Sequence, residues 1–200
     1  MKLLTVPLLL VPALAAPALA GFDSAYTQLN FDDKDICTNV SPAPVPGEPD
    51  DGAAFECTGF GDYVVTFSEG DLRSSVAFGT QSGDHCSARQ SFGGFNGVGK
   101  TIEWRLKDGK AIATILRWSV SYDPEDSNKQ RSWLVVTKLE ENDSCHMGYV
   151  EGAFPEANTK ARWLADTAAQ SFSCKTDKPV FFANPGTETA GIAANQGCGE

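Results

Sequence analysis

Residues 101–118 hold the strongest constraint on the fold. Two runs of strand-forming residues, Thr101-Ile102-Glu103-Trp104-Arg105-Leu106 and Ala111-Ile112-Ala113-Thr114-Ile115-Leu116-Arg117-Trp118, flank Lys107-Asp108-Gly109-Lys110. Asp-Gly between such runs specifies a type I′ turn, which needs positive φ at both central positions, and so commits the chain to a tight antiparallel hairpin. In unbroken register Ile102, Trp104, Leu106 and Ile115 share one face. Ile112, Leu116 and Trp118 share the other, beside Glu103 and Arg105. Both faces are partly apolar, so a second layer is expected over each.

The same alternation recurs on either side. Tyr63-Val64-Val65-Thr66-Phe67 and Leu72-Arg73-Ser74-Ser75-Val76-Ala77-Phe78 flank a Gly-bearing turn. With Glu69-Gly70 as the turn, Phe67 faces Leu72 and Tyr63 faces Val76. A third pair is expected from residues 133–139 and 145–150 across the loop 140–144. The period then changes: Ala161, Leu164, Ala165, Ala168 and Phe172 form a 3.6-residue stripe, and Asn158 stands where a cap would. The predicted fold is mainly β, an antiparallel meander sheet or partly open barrel of about six to eight strands, with one C-terminal helix packed on it. Residues 38–54, rich in Pro and acid, read as a loop, and 175–200, dominated by Gly, Ala, Asn and Pro, as a mobile tail.

The N-terminus reads as a cleavable export signal over residues 1–20. Lys2 opens an uncharged stretch of Leu, Val, Ala and Pro, and Ala18-Leu19-Ala20 offers small residues for signal peptidase. Pro7, Pro12 and Pro17 argue against a spanning helix, so no membrane insertion is expected after cleavage. A single β-rich domain over 21–200 follows. In an oxidising compartment the even set Cys37, Cys57, Cys86, Cys145, Cys174 and Cys198 reads as three disulfides. Short spacings favour Cys37–Cys57 and Cys145–Cys174, which leaves Cys86 for Cys198, although spacing alone leaves other connectivities open.

Removal of Lys2 with the signal leaves 15 of the 16 basic residues against 26 acids, a net charge near −11. Nucleic acid and anionic membrane are poor partners for such a surface. The acids gather in Glu48-Pro49-Asp50-Asp51, in residues 123–126 and in residues 140–143, all read as loops. Asp50, Asp51, Asp123 and Asp126 are therefore the candidate partner-binding residues, and a cationic protein is the candidate partner.

Catalytic and cofactor signatures are weak. Gly94-Phe95-Asn96-Gly97-Val98-Gly99-Lys100-Thr101 satisfies the phosphate-loop pattern, but a period-two strand follows where that loop needs a helix. His85-Cys86 and Cys145-His146 supply formal zinc ligands, yet oxidised cysteines cannot ligate, and neighbouring side chains on a strand point apart. The acidic loop 123–128 lacks the Gly and distal Glu of a calcium loop of the EF-hand kind. No cofactor, metal or catalytic residue is assigned. Trp104, Trp118, Trp133 and Trp163 read as core.

The segments EGDLRSSVAFG, IEWRL, ATILRW, LVVTKLE and CHMGYV with the Ala-rich helix after them resemble a family of uncharacterised exported proteins of Gram-negative bacteria, over roughly residues 55–174. The resemblance implies a periplasmic or secreted location and brings no activity or site. Phe55-Glu56-Cys57-Thr58-Gly59 with Tyr63-Val64-Val65-Thr66-Phe67 is also faintly similar, over about a dozen residues, to the opening of small periplasmic lysozyme inhibitors. Taken together, these features predict an exported, non-catalytic binding or envelope protein. The alternative is an envelope-polymer hydrolase using paired carboxylates.

Overall fold

The computed structural model describes residues 21–44, 46–47, 52–187, 189 and 198. Within them the order is β1 (Phe22–Gln28), β2 (Cys37–Asn39), β3 (Gly52–Thr58), β4 (Val64–Gly70), β5 (Arg73–Gly79), α1 (Cys86–Arg89), β6 (Asn96–Lys107), β7 (Lys110–Ser121), β8 (Gln130–Leu139), β9 (Ser144–Glu151), α2 (Ala157–Ala168) and β10 (Val180–Phe182). The strands form two open sheets, β1-β6-β7-β8-β9-β10 and β2-β3-β4-β5. All pairings are antiparallel except β9 with β10.

The two sheets enclose the main core. Val65, Phe67, Val76 and Phe78 of the small sheet meet Ile102, Trp104, Leu116, Trp118, Trp133, Val135 and Tyr149 of the large one. On the opposite face of the large sheet Ala113, Ile115, Leu134, Val136, Met147 and Val150 pack under Ala157, Ala161, Leu164 and Ala165 of α2. This is why β9 is buried along its whole length. The mainly β architecture with its C-terminal helix is as the sequence predicts, in ten strands rather than six to eight.

Two registers differ from the expected ones. In β4–β5 the turn is Asp71-Leu72, both at positive φ (51° and 58°), so Phe67 faces Val76 and not Leu72. The slide is an even number of residues, which leaves Val65, Phe67, Val76 and Phe78 on the core face and moves only Leu72 out to the surface. The Leu72 carbonyl accepts the amide of Asn96 at 2.9 Å, a tertiary bond that helps fix this turn. In β6–β7 the turn Asp108-Gly109 is as predicted, but Arg105 pairs with Ala113 and Leu106 with Ala111. The bulge at Ile112 shifts register by one, and a one-residue slip exchanges faces. Leu116 and Trp118 therefore join Ile102 and Trp104 between the sheets, and Ile115 turns towards α2.

Other expectations are corrected at the element ends. Residues 37–39 and 52–54 belong to β2 and β3, which shortens the loop read over 38–54. Residues 180–182 form β10 instead of a mobile tail. Asn158 lies inside α2, whose N-cap residue is Glu156, without a side-chain capping bond. Trp104, Trp118 and Trp133 are buried, whereas Trp163 is 50% exposed, with Lys160 Nζ lying 4.0 Å from its ring centroid.

Three disulfides join Cys37 to Cys57, Cys86 to Cys198 and Cys145 to Cys174. The first staples β2 across to β3. The other two lie together where α1, the start of β9 and the segment after α2 converge. Such a set suits an oxidising compartment. Beneath α2 runs a charged network that fixes the helix to the sheet. Arg105 donates to both carboxylate oxygens of Asp166 at 2.9 and 2.7 Å, and Arg162 donates to Glu103 at 2.6 and 3.1 Å. Arg105 also donates to the Ser24 hydroxyl, which in turn donates to Glu103 at 2.6 Å. No helix among the described residues is long and apolar enough to cross a membrane.

Candidate functional site

A cavity of about 610 Å³ opens to solvent at the end of the sandwich where β7 turns into β8. It is shaped by four pieces of chain: Arg73 at the start of β5, the Gly93-Gly94-Phe95 loop, the β7–β8 hairpin with Tyr122 and Asp123 in its connection and Arg131 at the start of β8, and Gly186 of the returning C-terminal segment. The buried Trp133 also lines it. A shallower depression of about 340 Å³ beside it shares Phe95 and Ser127.

The glycine loop is held in place from both sheets. Asn96 is buried; its Oδ1 accepts the amide of Ser74 at 3.0 Å and its Nδ2 donates to the Gly94 carbonyl at 2.9 Å. The Ser121 amide donates to the Phe95 carbonyl at 2.8 Å. A β-carbon on Gly94 would come within 2.3 Å of the Ser121 carbonyl oxygen, so the close approach of loop to β7 requires glycine there. On the far side, buried Glu151 accepts the Asn184 amide at 2.8 Å and the Thr187 hydroxyl at 3.1 and 3.0 Å, which fixes the segment carrying Gly186.

Two arginine–aromatic pairs set the chemistry. Arg73 lies 5.0 Å from the centroid of Phe95, and Arg131 lies 4.2 Å from that of Tyr122. A cation over a ring face is attracted by the ring quadrupole, and a guanidinium so placed can still donate hydrogen bonds from its N–H groups. Arg73 donates to the Gly93 carbonyl and is ion-paired with Asp71. Among the described residues Arg131 forms no ion pair. Asp123 meets Lys129 Nζ at 2.6 Å, and this hydrogen bond, with those from backbone amides, holds its carboxyl below the ordinary carboxylate range.

Of the candidate residues, Asp123 lines the cleft. Asp126 turns back on its own loop, accepting the Asn128 amide at 3.1 Å. Asp50 and Asp51 lie outside the described residues. The acidic loops 123–126 and 140–143 sit at opposite ends of β8, whose ten residues span about 30 Å, so these two do not form one face. Within the second loop Asp143 Oδ1 accepts the amides of Cys86 and Ser144, both at 2.8 Å.

The motifs find structural roles. Lys100, at the end of the phosphate-loop pattern, is exposed on β6, with strand continuing beyond it. His85 bonds to the carbonyls of Asn142 and Gln81 at 3.1 and 2.9 Å. His146, fully buried, shares a 2.8 Å hydrogen bond with the Tyr149 hydroxyl. Among the described residues no three His, Cys, Asp or Glu side chains cluster as metal ligands would. Of the cleft-lining residues, Phe95 was read only as part of the phosphate-loop pattern and Arg73 only as part of a strand, and Tyr122 and Arg131 were not singled out from sequence. The β7–β8 pairing, which no local signal announces, sets Arg131 opposite Val120 and near Tyr122.

Comparison with family models, with characterised proteins and with solved structures gives no match to this chain.

Proposed function

We propose that the chain is an exported, non-catalytic binding protein, periplasmic or secreted, whose ligand site is the cleft between the glycine loop and the β7–β8 connection. The observation that carries this reading is a cavity of about 610 Å³ with aromatic walls and a few convergent polar groups. That is the size and character of small-molecule sites in general. The walls are braced by bonds from both sheets, so the site is pre-formed and a ligand meets little ordering cost.

The hydrolase alternative has less support. Among the described residues lining the cleft Asp123 is the one carboxylate, and it is tied to Lys129. Glu103 and Asp166, which come together under α2, are each engaged by an arginine. Docking of a cationic protein on a continuous acidic face has less support as well, because the loops 123–126 and 140–143 are a strand length apart.

The test is protein-observed NMR of the exported, oxidised protein against a library of small acidic, neutral and basic compounds. Its intact mass should correspond to a chain beginning at Gly21. Binders are expected to move the amide resonances of Gly94, Ser121 and Gly186 together. A library without binders, or binders that map to another surface, would remove the cleft as the functional site.

A further inference from the structure

We propose that this cleft takes a small organic acid with a flat apolar body, its carboxylate held by Arg131 and its body set against Tyr122, Phe95 and the Trp133 edge. The inference rests on the cleft being the ligand site and adds the sign and shape of the ligand.

The sign follows from how each charge in the cleft is already used. Asp123 is bound by Lys129, and Arg73 is bound by Asp71 and the Gly93 carbonyl. Arg131 alone among these lacks an ionic partner within the described residues. Its guanidinium is fixed in two ways: the backbone is locked in β8 opposite Val120, and the side chain lies 4.2 Å from the Tyr122 ring centroid. A guanidinium seated over a ring keeps N–H donors for a ligand, and a carboxylate can meet them with two parallel hydrogen bonds. Among the described residues lining the cleft, a cationic ligand would find Asp123 already paired and would meet Arg131.

Shape and size narrow the class. A bare inorganic anion would occupy a small part of about 610 Å³ and leave the aromatic walls unused. A polyanion is disfavoured by the chain's net charge of −10, which repels extended negative polymers while costing a single carboxylate little beyond a Debye length. What remains is a compact monoanion with a planar apolar portion.

Calorimetry and NMR on the mature oxidised protein with three probes test this: 2-naphthoate, its neutral counterpart 2-naphthamide, and inorganic phosphate. The acid is expected to bind in the cleft about 10- to 100-fold more tightly than the amide, the range for a hydrogen-bonded charge pair. Arg131→Gln should bring the acid to the level of the amide and leave the amide unchanged. Arg131→Lys, which keeps charge without the fork, should retain part of the preference. Unchanged thermal unfolding of both variants ties the effect to the site. Equal binding of acid and amide to the parent would overturn the anionic ligand while leaving the cleft as the site. Phosphate binding as tightly as the acid would overturn the flat body. Failure of the acid and the amide alike to reach the cleft would overturn both this inference and the function it rests on.

Discussion

His146 should make the protein lose stability in mild acid. The ring is fully buried, edge-on to Tyr149 at 5.5 Å between centroids, with its backbone amide bonded to Gln90 Oε1 at 2.6 Å. Burial holds its pKa at about 3, against an ordinary value of 6.5. The native protein therefore excludes a proton that the unfolded chain takes up, and stability must fall as pH drops through that interval. The contribution is complete above the unfolded value of 6.5 and is lost progressively towards about 3. Its limit is about 5 kcal/mol, and the step from about pH 7.5 to about pH 5 alone costs about 2 kcal/mol. That window lies above the range in which unfolded carboxylates titrate, so the histidine should dominate it. Urea unfolding of the oxidised protein at several pH values measures the slope, and His146→Gln supplies the control. The variant is less stable overall, but its difference from the parent should narrow by about 2 kcal/mol between those two pH values. A parent and variant with parallel pH dependence would refute the reasoning, because they would show that the ring can take its proton in the folded state.

Three further outcomes follow from packing. Thr114 Oγ1 is a buried hydroxyl without a hydrogen-bond partner among the described residues, so Thr114→Val should be neutral or stabilising by about 1 kcal/mol in denaturant unfolding. Replacing Cys86 and Cys198 together by Ser opens a loop with a sequence separation of 112, and should cost about 2–5 kcal/mol by the same measurement. Asp166→Asn leaves the buried guanidinium of Arg105 with Glu103, at 3.7 Å, as its remaining ion-pair partner, and should cost about 2–3 kcal/mol, seen as a lower urea midpoint at unchanged slope.

Strands β4 to β9 and the helix α2 were legible because their signals are local, whereas β1, β2, β3 and β10 were not expected. Asp108-Gly109 places a turn by backbone sterics alone, and Leu164 with Ala161 and Ala165 marks the buried stripe of α2 by period. Register was less so. Nothing in the residues around Ile112 announces a bulge, yet that one extra position decides that Leu116 and Trp118 face the small sheet and Ile115 faces the helix. At Asp71-Leu72 the local preference for a glycine turn gave way to a tertiary bond from Asn96, which lies 24 residues further on. The short strands β2 and β10 carry three residues each, too few for a period to show, and their positions depend on Cys57 and on β9.

The candidate site shows a deeper reason for the difference. Net charge is a sum over the chain, and at −10 it points to a cationic partner. A binding site is a difference between neighbours, and two acids at this one are already engaged, Asp123 by Lys129 and Asp71 by Arg73. What is left facing the cleft is a guanidinium contributed by one of only 16 basic residues, held by a ring nine positions away in sequence. The pairing of Arg131 with Tyr122 exists because β7 and β8 form a hairpin, and that of Arg73 with Phe95 because a loop crosses from one sheet to the other. Composition thus sets the field that a ligand feels from a distance, and the fold sets the sign it meets on contact. The two are opposite here, and a small anion with an apolar body is the class of ligand that this opposition admits.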